Sequence, residues 1–179
     1  MPTLKPETCS LLVVDFQTRL MPAIDAGETA VKNTGRLLDA AAMLEVPVLA
    51  TEQNAKGLGA TVPALMAKLS PAQIIAKMSF DACRTPGFVG CLADPPRIVV
   101  TGCEAHVCVL QTVLGLLQLG RKVYVVADAI GSRTVANKEA ALRRMQRHGA
   151  EIVTTEMVIF EWLGSADHPK FREAVALIK

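Results

Sequence analysis

Cys108, Asp15 and Lys77 are the residues in this sequence with the chemistry of a nucleophile, a base and a charge partner. Cys108 lies in RIVVTGCEAHVCVL, where a β-branched run reads as a buried strand and Gly102 allows a sharp turn. From Ala105 the pattern AHVCVLQTVLGLLQLG is helical, which places the thiol in the first turn of a helix just past a strand. Unpaired N–H groups and the positive end of a helix dipole lower a thiol pKa. The same N–H groups can hold an oxyanion if a thiolate attacks a carbonyl. A free cysteine at such a place is equally well a small core residue, and position alone leaves both readings open. Asp15 closes the apolar run SLLVVD and needs a partner if buried. Lys77, at the end of QIIAK, can supply it. An acid and an ammonium beside a thiol would let the acid take the thiol proton while the ammonium offsets the charge. Without the cysteine, the same pair would be a structural ion pair.

The elements that must position these groups alternate. Six runs read as strands, at 10–15, 46–52, 73–77, 97–102, 122–128 and 151–155. Most are continuous Val/Ile/Leu runs, as expected for strands covered on both faces. Helical patterns occupy 26–44, 62–69, 105–119, 134–148 and 167–179, with His168–Pro169 in the opening turn of the last. Gly120 and Gly149 stand where helix terminators belong. This alternation predicts one α/β domain over 1–179, a three-layer α/β/α doubly wound fold on a parallel sheet. Ligands of such sheets bind outside the carboxyl ends of the strands, which gathers Asp15, Glu52, Lys77, the turn 102–108, Asp128 and Thr155 on one edge. The irregular stretch 80–96, with Pro86, Gly87, Gly90, Pro95 and Pro96, is expected to carry a short helix and to form a pocket wall or a subunit contact.

Composition narrows the classes. The 179 residues are 51% hydrophobic and 20% charged, with a net charge of +2 that argues against nucleic acid or membrane surfaces as partners. No apolar run is long enough to span a bilayer, and the N-terminus has no signal-like core. Five cysteines without paired spacing argue for reduced thiols and a cytoplasmic protein. Gly57-Leu58-Gly59 lacks the third glycine of a dinucleotide fingerprint, so no nucleotide cofactor is expected.

Asp15 in VVDFQ, Lys77 in AKMSF and Cys108 in TGCEAHVCV together resemble the Asp–Lys–Cys triad of the isochorismatase-like cysteine hydrolases. The resemblance covers nearly the whole chain. It is strongest to the small isochorismatase-domain-containing proteins of eukaryotes, through VPVLATEQNAKGLGATVPAL, GCEAHVC, VADAIGSR and ADHPKF. It implies a six-stranded, Rossmann-like parallel sheet, Cys108 as nucleophile, Asp15 as base and later acid, and Lys77 as charge partner. It further implies a cis peptide at Cys103–Glu104 and an oxyanion site formed by the N–H groups of Glu104 and Cys108. Phe16, Gln17, Phe80 and Val107 are positioned to line a substrate pocket. Nicotinamidase relatives carry an Asp/His metal cluster after the second strand, where this chain has Thr51-Glu52-Gln53-Asn54, so no catalytic metal is expected. Isochorismatase proper cleaves a vinyl ether without a cysteine, so Cys108 points away from that reaction. Family members commonly form homo-oligomers, which fits the apolar composition.

Other polar residues read as structural. His106 is assigned no catalytic role and faces solvent or a neighbouring subunit; His148 interacts with a helix C-terminus. Asp128, Ser132, Arg133 and Thr134 form a turn capping the next helix. Arg19 and Arg84 are the arginines placed to meet an anionic substrate group. The expected function is hydrolysis of a small amide or related C–N bond through a thioester. The alternative is a silent relative acting as a binding or scaffolding module.

Overall fold

All six strands run in the same direction in a computed structural model of the chain, which describes residues 3–92 and 97–179. In chain order the elements are β1 (Cys9–Val14), α1 (Gly27–Met43), β2 (Val48–Gln53), α2 (Ala55–Leu58), α3 (Pro63–Met66), β3 (Ile74–Lys77), α4 (Phe88–Cys91) and β4 (Arg97–Cys103). A π turn (Ala105–Val109) then leads into α5 (Leu110–Gln118), β5 (Lys122–Gly131), α6 (Val135–Arg147), β6 (Glu151–Val153), α7 (Thr155–Leu163) and α8 (Phe171–Ile178). The sheet order is β3-β2-β1-β4-β5-β6. The chain winds outward from β1 in both directions, so the direction of winding reverses between β1 and β4, where such sheets open their ligand crevice.

Side chains alternate across the sheet with the period of two that a strand imposes. Leu11 and Val13 of β1, Val99 of β4 and Tyr124 and Val126 of β5 enter one core, beneath Leu37 and Ala41 of α1, Ile159 and Trp162 of α7 and Ala174 of α8. Leu12, Val14, Ile98, Val100, Val123 and Val125 enter the other, against Phe88 of α4, Val113 and Leu116 of α5 and Met145 of α6. Helices on both faces explain why these strands are apolar without interruption.

Several boundaries differ from the sequence reading. β5 continues to Gly131, three residues past its expected end, and β6 stops at Val153. Thr155 therefore opens α7, a helix the reading did not contain. The segment expected to be helical over 62–69 makes only the turn Pro63–Met66. The last helix begins at Phe171, so His168 and Pro169 precede it, and His168 Nδ1 accepts the Lys170 N–H at 3.0 Å. Within 80–96 the chain makes a 3-10 turn (Ala82–Arg84) and α4, as expected, while Pro95 and Pro96 lie outside the described residues.

Candidate active site

β1, β3 and the turn after β4 bring the three residues together. Register pairs Val14 with Thr51 on one side and Gly102 on the other, and pairs Gln53 of β2 with Lys77. Asp15 therefore leaves the sheet between the ends of β2 and β4. Its backbone turns sharply there, with φ 52° in the left-handed region, and Gln17 N donates to Asp15 O at 2.9 Å. Aspartate is one of the few residues that enters this region readily. On the far side Gly102, at φ 143°, lies so close to β1 that a Cβ would collide with the Val14 carbonyl oxygen and side chain. Only glycine lets β4 pass this near the base of Asp15.

Lys77 Nζ donates to Asp15 Oδ2 at 2.7 Å and to the Ser79 carbonyl at 3.1 Å. Thr51 Oγ1 donates to Asp15 Oδ1 at 2.7 Å. The lysine and aspartate side chains are 0% and 1% exposed. A buried ion pair of this kind is weak evidence for stability, because removing both charges from water costs about as much as their attraction returns. The Cys108 thiol interacts with both the Asp15 carboxylate and the Lys77 ammonium, and the residue is 7% exposed. Burial, and then the Asp15 charge, push this thiol up to about 12 against the opposing pull of Lys77. This corrects the expectation of a thiol acidified by a helix start. Burial and the neighbouring carboxylate thus favour the thiol over the thiolate here.

The turn carrying Cys108 is also not the α-helical start expected. Glu104 O accepts the N–H groups of Val107 at 3.0 Å and Val109 at 3.2 Å, closing a π turn, so the intervening Cys108 N–H is not tied to that carbonyl. π turns inside helices occur often at functional sites. The Cys103–Glu104 peptide is cis, as the resemblance implied. The Glu104 carboxylate accepts Arg133 N at 3.1 Å, Nε at 3.0 Å and Nη2 at 2.7 Å. Burial opposes its charge, but these three donors outweigh burial and hold the carboxyl below its usual range.

The structure does not bring together all the residues expected to line a pocket. Phe80 is 49% exposed and Val107 half-buried, so both have surface to offer. Phe16 has none: it is wholly buried in the core beneath α1. The left-handed turn at Asp15 breaks the strand alternation that would have placed Phe16 with Leu12 and Val14. Gln17 is also wholly buried, its amide donating to Gly59 O at 2.6 Å and accepting Gln53 N at 2.9 Å. It ties β1 to the loop after β2. Arg19 donates to the carbonyls of Lys56 and Gly57 in that same loop, each at 3.2 Å. Arg84, in contrast, is exposed and lines, with Lys56, Lys77, Ser79 and Thr85, a groove of about 830 Å³.

Two positions matter more than the sequence suggested. Thr51 fixes the second oxygen of Asp15, and its signal was a hydroxyl in the apolar run VLATEQ beside the first strand. Ser79 holds the Lys77 ammonium through a backbone carbonyl, which no side-chain type reveals. Glu52, at the same sheet edge, accepts Thr61 N at 2.7 Å and Thr61 Oγ1 at 2.8 Å and serves the loop. Of the turn 128–134, only Thr134 caps α6, through the Asn137 N–H, while Ser132 Oγ pairs with His106 Nδ1 at 3.0 Å. Asp128 instead accepts from Thr155 and Asn33. His148 Nδ1 meets the Arg144 carbonyl at 2.8 Å, at the C-terminus of α6. No group of three His, Cys, Asp or Glu side chains is arranged to hold a metal among the described residues.

A six-stranded, all-parallel sheet flanked by helices is the fold of the isochorismatase-like proteins. The model of the Isochorismatase domain matches residues 9–157, and the chain belongs to that family. It is 39% identical to isochorismatase domain-containing protein 2 of Xenopus laevis, covering 94% of this chain and 82% of that one. It spans only 62% of isochorismatase domain-containing protein 1 of Danio rerio, at 36% identity. A solved Caenorhabditis elegans protein called MAR1 ribonuclease superposes with TM-score 0.93 at 38% identity, covering 98% and 92% of the two chains. Two YcaC proteins are each 25% identical. That of Pseudomonas aeruginosa, with hexane-2,5-diol and covalent acrylamide, gives TM-score 0.91 over 98% and 91% of the chains. That of Escherichia coli, an octameric hydrolase of unknown specificity, gives 0.88 over 99% and 88%.

Proposed function

We propose that this chain is a single-domain cysteine hydrolase that cleaves a small amide or related C–N bond through a thioester on Cys108. The observation that carries the reading is the buried Lys77–Asp15 pair with the Cys108 thiol beside it. As Cys108 Sγ attacks the carbonyl carbon, its proton passes to Asp15 and the carbonyl electron pair moves to oxygen. The N–H groups of Glu104 and Cys108 receive that oxyanion. Asp15 then protonates the departing amine as the C–N bond breaks, leaving an acyl group on sulfur. Water attacks the thioester, gives its proton to Asp15, and releases the acid; the sulfur regains the proton. Lys77 keeps the carboxylate oriented and offsets the negative charge on the sulfur. No step calls for a metal or cofactor. A raised thiol pKa suits this route, because the base acts during attack rather than beforehand.

The reading is supported by membership of the family and by the covalent acrylamide carried by one YcaC neighbour. The octameric E. coli neighbour and the exposed Met78 and Phe80 beside Lys77 support a homo-oligomer, which sedimentation velocity will size. Free cysteines throughout fit a reducing compartment such as the cytoplasm. No helix among the described residues is long and apolar enough to cross a membrane.

The near-sealing of the three side chains favours a second reading, a silent binding module. A panel of amides, ureas and esters separates the two, with RNA included because of the C. elegans relative. Turnover lost in Cys108→Ala supports the hydrolase. Absence of turnover across the panel, with a Cys108 inert to alkylation, supports the module.

A further inference from the structure

The turn bearing Cys108 is tied at two points to one dipeptide at the end of β5, across β4 from Asp15 and Lys77. Glu104 accepts three N–H groups of Arg133, and two residues on, His106 Nδ1 pairs with Ser132 Oγ at 3.0 Å. Ser132 is itself fixed, 1% exposed, with its carbonyl accepting Asp25 N at 3.0 Å from the loop before α1. The Glu104 side chain is 7% exposed, whereas that of Arg133 is 60% exposed. An exposed guanidinium contributes little to folding. It can nonetheless set direction, because its planar fork engages both carboxylate oxygens at once.

We propose that Glu104 and Arg133 are positioning residues, a clamp that holds the backbone N–H groups of the turn where the substrate oxyanion forms, with Ser132–His106 as its second anchor. The inference rests on the hydrolase reading above. It assigns the Glu104 carboxylate a role distinct from its backbone N–H, and it gives His106 a structural partner in place of solvent.

Acrylamide tests it without a known substrate. When Cys108 adds to acrylamide, the Sγ–Cβ bond forms as the C=C electron pair shifts to the amide oxygen. The thiol proton, taken by Asp15, returns to Cα. Charge thus develops on an oxygen that the turn must receive. Methyl methanethiosulfonate reacts instead at sulfur: the Cys108–SCH3 disulfide forms as methanesulfinate leaves with the electron pair, the thiol proton goes to Asp15 or water, and no charge develops on an amide oxygen. Rates at Cys108 with both reagents are read by peptide mass spectrometry, with exposed Cys91 as internal reference. Arg133→Gln and Glu104→Gln are expected to slow acrylamide addition on the order of tenfold or more and to leave the methanethiosulfonate rate unchanged. Arg133→Lys fails to rescue, since one ammonium cannot replace the fork. Ser132→Ala slows acrylamide less, and Arg143→Gln, in an exposed pair with Glu139, changes neither rate. Unchanged acrylamide rates overturn the clamp, and so does equal slowing with both reagents, which would mark mere loosening of the turn. A wild-type Cys108 no faster with acrylamide than Cys91 defeats the hydrolase reading and takes the clamp with it.

Discussion

Two aspartates stand at the carboxyl edge of the same sheet and do different work. Asp128, on β5, accepts Thr155 N at 2.8 Å, Thr155 Oγ1 at 3.0 Å and Asn33 Nδ2 at 3.2 Å. All these donors are neutral, and together they fasten α7 and α1 to the sheet. Asp15, on the other side of β4, accepts a threonine hydroxyl at one oxygen and an ammonium at the other, and faces a thiol. An acid near the carboxyl edge of the sheet is therefore not a site by virtue of its position. The donors around it decide whether its charge is spent on structure or kept for a proton.

The largest contrast expected is in reactivity. Asp15→Asn should lower Cys108-dependent turnover by roughly 10²–10⁴-fold, whereas Asp128→Asn leaves it unchanged. Equal effects of the two substitutions would erase the distinction. Stability should separate them less sharply. Lys77→Met leaves the Asp15 charge buried without its cation, a loss of about 3–5 kcal/mol in urea unfolding. Asp128→Ala leaves Thr155 N–H and its hydroxyl without an acceptor, about 1–3 kcal/mol.

Alkaline pH gives a third handle. Cys108, like Cys83 and Cys103, is pushed from 9.0 up to about 12, chiefly by burial. The folded state holds these protons more tightly than the unfolded chain does. Their contribution is complete below pH 9 and is lost as pH rises from there through about 12. Urea midpoints should fall over that range, less steeply in Cys108→Ala. The smallest effect lies at the acid end. Glu104 is held below its ordinary 4.5, with burial opposed and outweighed by the Arg133 hydrogen bonds, so its contribution is present above that value and lost as pH falls through its lowered pKa. Glu104→Gln should flatten that part of the acid limb.

The sheet, its strand count and the three central residues were readable in the sequence because each follows from local pattern: unbroken apolar runs, a polar residue at a run's end, glycine at a turn. What escaped depends on contacts between distant segments. TEMVIFEWL has too weak an apolar stripe to declare itself a helix, since Val158, Ile159 and Trp162 are buried while Met157 and Phe160 stay exposed. Thr154, whose hydroxyl accepts Met157 N, and Gly164, at φ 68°, were the available signals for its two ends. Phe16 and Gln17 were misplaced because they were assigned to the pocket by adjacency to Asp15 alone, whereas the left-handed backbone there turns both into buried positions. The thiol pKa was read from the helix start alone; burial and a facing carboxylate, both products of tertiary packing, reversed its direction.

The central claim is that Cys108 carries the acyl group. Its most direct test is acid-quenched peptide mass spectrometry of the wild-type chain while it turns over an amide identified by the panel. The expected result is the mass of the substrate's acyl group on the peptide containing Cys108, rising before product and absent in Cys108→Ala. Steady product formation with an unmodified Cys108 peptide, at a rate that Cys108→Ala retains, would contradict it.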